Sequence, residues 1–180
     1  MKSVLISTKP RWCELIANRE KTIEVRKTRP KIATPFKCYI YETKGKTDYP
    51  TFIDEEGHEI YEGRGQVIGE FICDEIEAYE FGGYEADYLV NHTQLDAMRL
   101  NYTDLIKYGK GKTLYGWHIS DLKIYDKAKE ATEFYRLCLL PNTNTCYGSK
   151  YLNNRGEYYE CGRWISKAPQ SWCYVKEAEQ

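Results

Sequence analysis

Ser3-Val4-Leu5-Ile6-Ser7-Thr8-Lys9-Pro10-Arg11-Trp12-Cys13-Glu14-Leu15-Ile16-Ala17-Asn18-Arg19-Glu20-Lys21-Thr22-Ile23-Glu24-Val25-Arg26-Lys27 changes its hydrophobic period twice, and the two changes set the fold. Ser3 to Ser7 is a short apolar and β-branched run, which predicts a buried strand. Pro10 suits the first turn of a helix, where a missing N–H does no harm. Trp12, Leu15 and Ile16 then share one buried face at the i, i+3, i+4 spacing, to about Ala17, and Asn18 is the expected left-handed stop. From Lys21 to Lys27 the pattern alternates in period two. Ile23 and Val25 take one side of a half-buried strand, and Thr22, Glu24 and Arg26 take the other.

Downstream, Phe36 to Tyr41 alternates Phe36, Cys38 and Ile40 against Lys37, Tyr39 and Tyr41 and predicts a third strand, with Pro30 and Pro35 keeping the link before it irregular. Residues 43–65 are polar and Gly-rich, and Thr51-Phe52-Ile53 and Glu59-Ile60-Tyr61 flank Asp54-Glu55-Glu56-Gly57 as an exposed hairpin, read as an insertion or lid. Gln66 to Ala78 predicts a long strand, bent at Gly69. Thr93 to Met98 and Thr103 to Tyr108 predict two short helices with threonine caps. Leu114 to Tyr125 returns to strand character, and a last strand is expected at about 171–176. The expected class is α+β, mainly β: a small closed or partly open barrel with a few short flanking helices, since closure removes exposed strand edges. Its core spans 1–126, and the last strand of a 127–180 extension packs back on it.

The 180 residues suffice for one substantial core. At 42% hydrophobic and 29% charged, the composition is globular and excludes a disordered chain. Nothing approaches the roughly 20 apolar residues of a membrane span, and Met1 to Pro10 lacks a signal-peptide core, so a cytoplasmic location and no membrane partner are expected. Seven cysteines without a CxxC pair indicate neither a disulfide framework nor a zinc ribbon. Cys138, Cys146, Cys161 and Cys173 are enough for a tetrahedral zinc site, but their spacings match no finger; no metal and no cofactor are expected.

Net charge is −1, yet the charges are segregated. Residues 1–46 carry twelve Lys or Arg against four acids, 47–104 carry two against fifteen, and 105–180 carry twelve against eight. A basic surface for nucleic acid therefore requires the first and last thirds to meet in space. The acidic 47–104 segment is a candidate surface for a protein partner. The oligomeric state is not legible.

Chemistry concentrates around Lys21, Glu24 and Arg26, with Lys9 and Arg11 at the start of the helix and Lys27 and Arg29 just past the strand. A carboxylate accepts from a base's exocyclic amine, and a guanidinium makes paired contacts to phosphate or a base edge. Two readings of Glu24 and Arg26 stand at this point: an ion pair on an exposed sheet face, or the polar floor of a nucleotide pocket. Trp12, Tyr115, Trp117 and Trp172 are candidates to stack on a base, although the spacing of Trp12 places it in the core. His118 is a candidate general base, out of phase with Tyr115 and Trp117.

The stretch 5–27 resembles the opening of ASCH-domain proteins, which include small bacterial and prophage ones. Their motif G-x-K-x-x-E-x-R maps onto Arg19, Lys21, Glu24 and Arg26, with Arg19 where glycine is usual, so that the loop is expected to turn at Asn18. Gly69-Glu70-Phe71, Tyr115-Gly116-Trp117-His118-Ile119-Ser120 and Pro169-Gln170-Ser171-Trp172-Cys173-Tyr174-Val175 are also similar to the family. The resemblance implies a PUA-like fold that binds RNA or a modified nucleoside in a cleft beside the motif, with Lys9, Lys21, Glu24, Arg26, Tyr115, Trp117 and Trp172 as candidate ligand contacts. It also raises a hydrolase, either a nuclease or an amidohydrolase acting on a substrate like N4-acetylcytidine. A bacterial branch hydrolyses that nucleoside with a lysine, a threonine and a distant glutamate. Lys21 matches the lysine, whereas Glu24 stands at the threonine's position and Thr22 carries its hydroxyl two residues early. If there is turnover, Lys21 and Glu24 are the candidate catalytic pair.

Overall fold

The computed structural model describes residues 3–53, 56–80, 90–137 and 162–177. The opening stretch folds as its periods predict, with strand β1 (Ser3–Thr8), helix α1 (Pro10–Ala17) and strand β2 (Ile23–Arg26). Strand β3 (Phe36–Glu42) lies parallel to β1, with Val4 opposite Cys38 and Ile6 opposite Ile40. The short strands β4 (Phe52–Ile53) and β5 (Glu59–Ile60) pair as a separate hairpin.

The expected long strand at 66–78 is instead two strands in different sheets, β6 (Val67–Cys73) and β7 (Ile76–Tyr79). The break falls at the polar pair Asp74-Glu75, where the Glu75 carbonyl accepts from the His118 backbone N–H. The expected strand at 114–125 divides likewise, into β8 (Leu114–His118) and β9 (Ser120–Lys129), at Ile119, whose N–H bonds to the Thr22 carbonyl. Both breaks are hidden because strand character resumes within two residues, while the partly exposed halves β7 and β9 pair in a different sheet from the buried strands before them.

Helices α2 (His92–Met98) and α3 (Tyr102–Gly109) are capped by Asn91 and Asn101 rather than by threonine. Each asparagine side chain accepts from the backbone N–H three residues on, and the residue there, Gln94 or Asp104, answers as a capping box. A 3₁₀ turn at Ala131–Glu133 leads into β10 (Phe134–Leu137); β11 (Gly162–Trp164) and β12 (Trp172–Glu177) follow. Strands β10 and β11 have no clear sequence signal.

The sheet order is β11-β10-β12-β1-β3-β6-β9 in one seven-stranded sheet and β2-β8-β7 in a three-stranded sheet. Among the described residues the sheets do not close on each other, so the barrel is an open one. Register shifts interrupt β6 against β9 near Gly69, where an added Cβ would lie 2.5 Å from the Lys123 carbonyl oxygen. The bend expected at this glycine is therefore a bulge that brings two backbones into contact.

Every residue of β1 is buried because its two faces serve two cores. Val4 and Ile6 join Cys38, Ile40, Phe71 and Trp117 between the sheets, while Leu5 joins Tyr39, Phe134 and Val175 on the other face. A third core, of Ile23, Val25, Tyr79, Met98, Leu105 and Leu114, packs α2 and α3 on the outer face of the three-stranded sheet. No helix among the described residues is long and apolar enough to cross a membrane.

Candidate functional site

The end of α1 sets the site. The Arg19 N–H bonds to the Ile16 carbonyl and the Glu20 N–H to the Leu15 carbonyl, the paired bonds of a Schellman turn. The left-handed residue is Arg19 itself (φ 60°), not Asn18 (φ −78°), so the turn sits where the family motif has glycine and an arginine tolerates the strained conformation. This turn delivers Lys21 to the start of β2. Its N–H is held by the Leu15 carbonyl, and the next N–H, of Thr22, by the Ala97 carbonyl.

Lys21, Glu24 and Arg26 are 2%, 6% and 7% exposed, so the reading of an exposed ion pair is wrong. Glu24 Oε2 lies 3.4 Å from Lys21 Nζ and Glu24 Oε1 lies 3.0 Å from Arg26 Nη2. Lys21 Nζ also donates to the Met98 carbonyl at 2.6 Å, one of the acceptors that the last turn of α2 leaves unpaired. Arg26 Nη2 donates to the Ser7 carbonyl (2.6 Å) and to Thr8 Oγ1 (3.2 Å), tying β2 to the end of β1. Arg26 Nε is buried with no hydrogen-bond partner among the described residues. A buried unpaired N–H is costly, on the order of 1–3 kcal/mol. Burial pushes the Lys21 ammonium below its ordinary pKa; the adjacent Glu24 carboxylate opposes that shift and Arg26 adds to it.

These groups floor a cleft of about 520 Å³, within the range of small-molecule sites. Lys9, Arg11 and Trp12 of the α1 end form one wall, and Arg99, Asp104 and Tyr108 of the α2–α3 segment form another. Trp12 is half-buried rather than in the core: the face of α1 that packs inward is Pro10, Cys13 and Ile16. The Trp12 ring has Lys21 Nζ on it and Arg11 Cζ near it, each 5.1 Å from the centroid. Arg99, Asp104 and Tyr108 have no periodic signature; they reach the cleft because α2 and α3 fold back over β2. Only the capping role of Asp104 is legible locally.

The remaining candidates lie elsewhere. Trp117 is fully buried between the sheets, its ring 5.9 Å from both Phe36 and Trp172, and is out of reach of a ligand. Trp172 packs edge-on against Tyr174 at 5.2 Å and donates from Nε1 to Thr28 Oγ1. Tyr115 lines a second cleft, with Arg29 Cζ 5.8 Å from its ring centroid. Thr22 is exposed and does not line the cleft. His118 lies opposite Ile23 in the register, on the face away from Glu24, with Nε2 3.6 Å from Glu77 Oε2.

The first and last thirds of the chain do meet, through β1 with β12 and β2 with β8. The cations of the cleft nevertheless come from the first third and from Arg99, not from the last third. The acidic segment is not one face: Glu70 pairs with Lys37, Glu77 accepts from Gln94, and Asp104 enters the cleft. Cys138, Cys146 and Cys161 lie outside the described residues; Cys173 is a buried free thiol. No cluster of metal-ligating side chains occurs among the described residues.

No family model and no curated protein matches the chain. Among solved structures, the ASCH protein of Zymomonas mobilis aligns with 92% of this chain and 88% of its own at a TM-score of 0.50 and 14% identity. A point variant of the same protein aligns with 72% of this chain and 76% of its own, at a TM-score of 0.48 and 18% identity. At such identities what is shared is the fold.

Proposed function

We propose, with the ASCH-domain fold as the premise, that the cleft over Lys21, Glu24 and Arg26 binds RNA or a modified nucleoside. The observation that carries this reading is the buried triad with one donor, Arg26 Nε, left unpaired. A base carbonyl or a phosphate oxygen satisfies that donor. Glu24 retains lone pairs beyond its two cations and can accept from an exocyclic amine. Trp12 supplies the stacking face and Lys9 and Arg11 meet phosphate at the rim. Turnover in the same cleft is favoured by one observation, the burial of Lys21 in its floor, which pushes the ammonium below its ordinary pKa and brings the lysine toward use as a general base.

The test is a titration, followed by tryptophan fluorescence and product formation, with cytidine, N4-acetylcytidine and short single-stranded RNA. Trp12→Ala should weaken binding by about 5- to 150-fold, the loss of one base–aromatic stack, and Glu24→Gln should weaken ligands carrying an exocyclic amine most. Release of cytidine from N4-acetylcytidine makes the cleft an amidohydrolase site, and cleavage of RNA makes it a nuclease. Unchanged affinity in both variants removes the cleft from consideration.

A further inference from the structure

Next to the candidate cleft, the segment between β2 and β3 forms a second one of about 750 Å³. Its wall carries Lys27, Arg29 and Lys31 and, among the described residues, no carboxylate, with Tyr115 at its base. None of the three cations takes part in an ion pair among the described residues, which separates them from Lys37 and Arg99, both matched to glutamates. The segment is held in shape from β12: Trp172 Nε1 donates to Thr28 Oγ1 at 2.9 Å, and the Lys31 N–H donates to the Tyr174 hydroxyl oxygen at 2.6 Å. The cations are thus presented on a pinned loop, and ordering it costs a ligand little.

The two clefts share a rim. Tyr108 lines the first, Lys27 lines the second, and Lys27 Nζ lies 4.7 Å from the Tyr108 ring centroid. Arg26, in the floor of the first cleft, is directly opposite Tyr115 of the second in the β2–β8 register. A ligand leaving the triad therefore passes the Lys27–Tyr108 contact and arrives among unpaired cations beside an aromatic ring. That succession of stacking face, cation, ring and cations fits a chain of nucleotides.

Resting on the nucleobase reading of the first cleft, we propose that the Lys27–Lys31 loop is a second subsite, which takes the phosphates of an adjoining nucleotide. The ligand is then a single-stranded oligonucleotide rather than a free nucleoside. Lys27 bridges the subsites, Arg29 and Lys31 bind backbone phosphate, and Tyr115, with Arg29 over its ring, offers the neighbouring base a second platform.

The experiment is a fluorescence titration with cytidine monophosphate and a ladder of oligocytidylates at several salt concentrations. It compares the wild type with the Arg29→Ala/Lys31→Ala double variant, whose altered side chains are exposed and whose backbone bond to Tyr174 is kept. Affinity should rise as the chain lengthens past the mononucleotide. The double variant should lose that gain, about tenfold or more at low salt, with the salt slope lower by about 1.4 and mononucleotide affinity unchanged. An oligonucleotide bound no tighter than the monophosphate, or a double variant that keeps the gain and the slope, overturns the second subsite and leaves the first cleft standing. A wild type that binds neither monophosphate nor oligonucleotide overturns both.

Discussion

Glu24 and Glu70 are each a strand carboxylate beside a lysine and a second donor, but they occupy opposite kinds of place. Glu70 accepts from Lys37 Nζ at 3.0 Å and from the Tyr125 hydroxyl at 2.6 Å on a partly exposed sheet face. Partial burial works against its ionisation, but those two hydrogen bonds together with the charges of Lys37 and Lys123 outweigh burial and hold the carboxyl below the usual range. Glu24 sits between two cations that are buried with it, and one of them keeps an unpaired N–H. The water-exposed cluster is complete and contributes to the surface; the buried one is costly to assemble and incomplete without an acceptor. Residues kept at such a cost are where ligand chemistry is to be sought.

Single removal should break this comparison most visibly. Glu24→Ala leaves Lys21 and Arg26 buried and uncompensated and should lower stability by about 3–5 kcal/mol in urea denaturation. Replacing all three at once, Lys21→Met with Glu24→Leu and Arg26→Met, should cost less than Glu24→Ala alone, because no charge is then stranded, while RNA binding is lost. A triple variant less stable than Glu24→Ala would make the triad a structural device. Glu70→Ala should cost only about 0.2–1 kcal/mol. Its contribution is fully present above the unfolded carboxyl pKa of about 4.3 and is lost as pH falls through the lower folded-state value, so the stability difference between Glu70→Ala and wild type should vanish in acid. Arg19→Gly should stabilise by about 0.5 kcal/mol, the relief of a left-handed arginine less the added chain entropy, with ligand affinity unchanged.

The same contrast explains what the sequence discloses. An apolar run places β1 and period places α1, β2 and β3, and the K-x-x-E-x-R spacing marks the cluster that the turn at Arg19 delivers. What local pattern cannot carry is partnership at long range. The alternation of β2 leaves Glu24 and Arg26 looking like surface, and only the closeness of Ser7, Thr8 and Met98 buries them. Trp12 has core spacing yet lines the cleft, since α1 packs through smaller residues one position away. Trp117 and Trp172 resemble stacking platforms in composition but serve the core and the loop that it supports. Arg99 and Asp104 enter the cleft from the end of the 47–104 segment, whose acidity points away from nucleic acid, and Tyr108 from just beyond it. The chain breaks at Asp74-Glu75 and Ile119 are invisible because strand character resumes at once while the sheet changes.

The most direct test of the cleft is an NMR titration that follows the Arg26 Nε–H and the Trp12 indole N–H as a short single-stranded RNA is added. Saturable shifts of both, with the Arg26 Nε–H becoming protected from solvent exchange as it gains an acceptor, are the predicted result. Binding that shifts resonances elsewhere while leaving the Arg26 and Trp12 signals in place would contradict the assignment of the cleft.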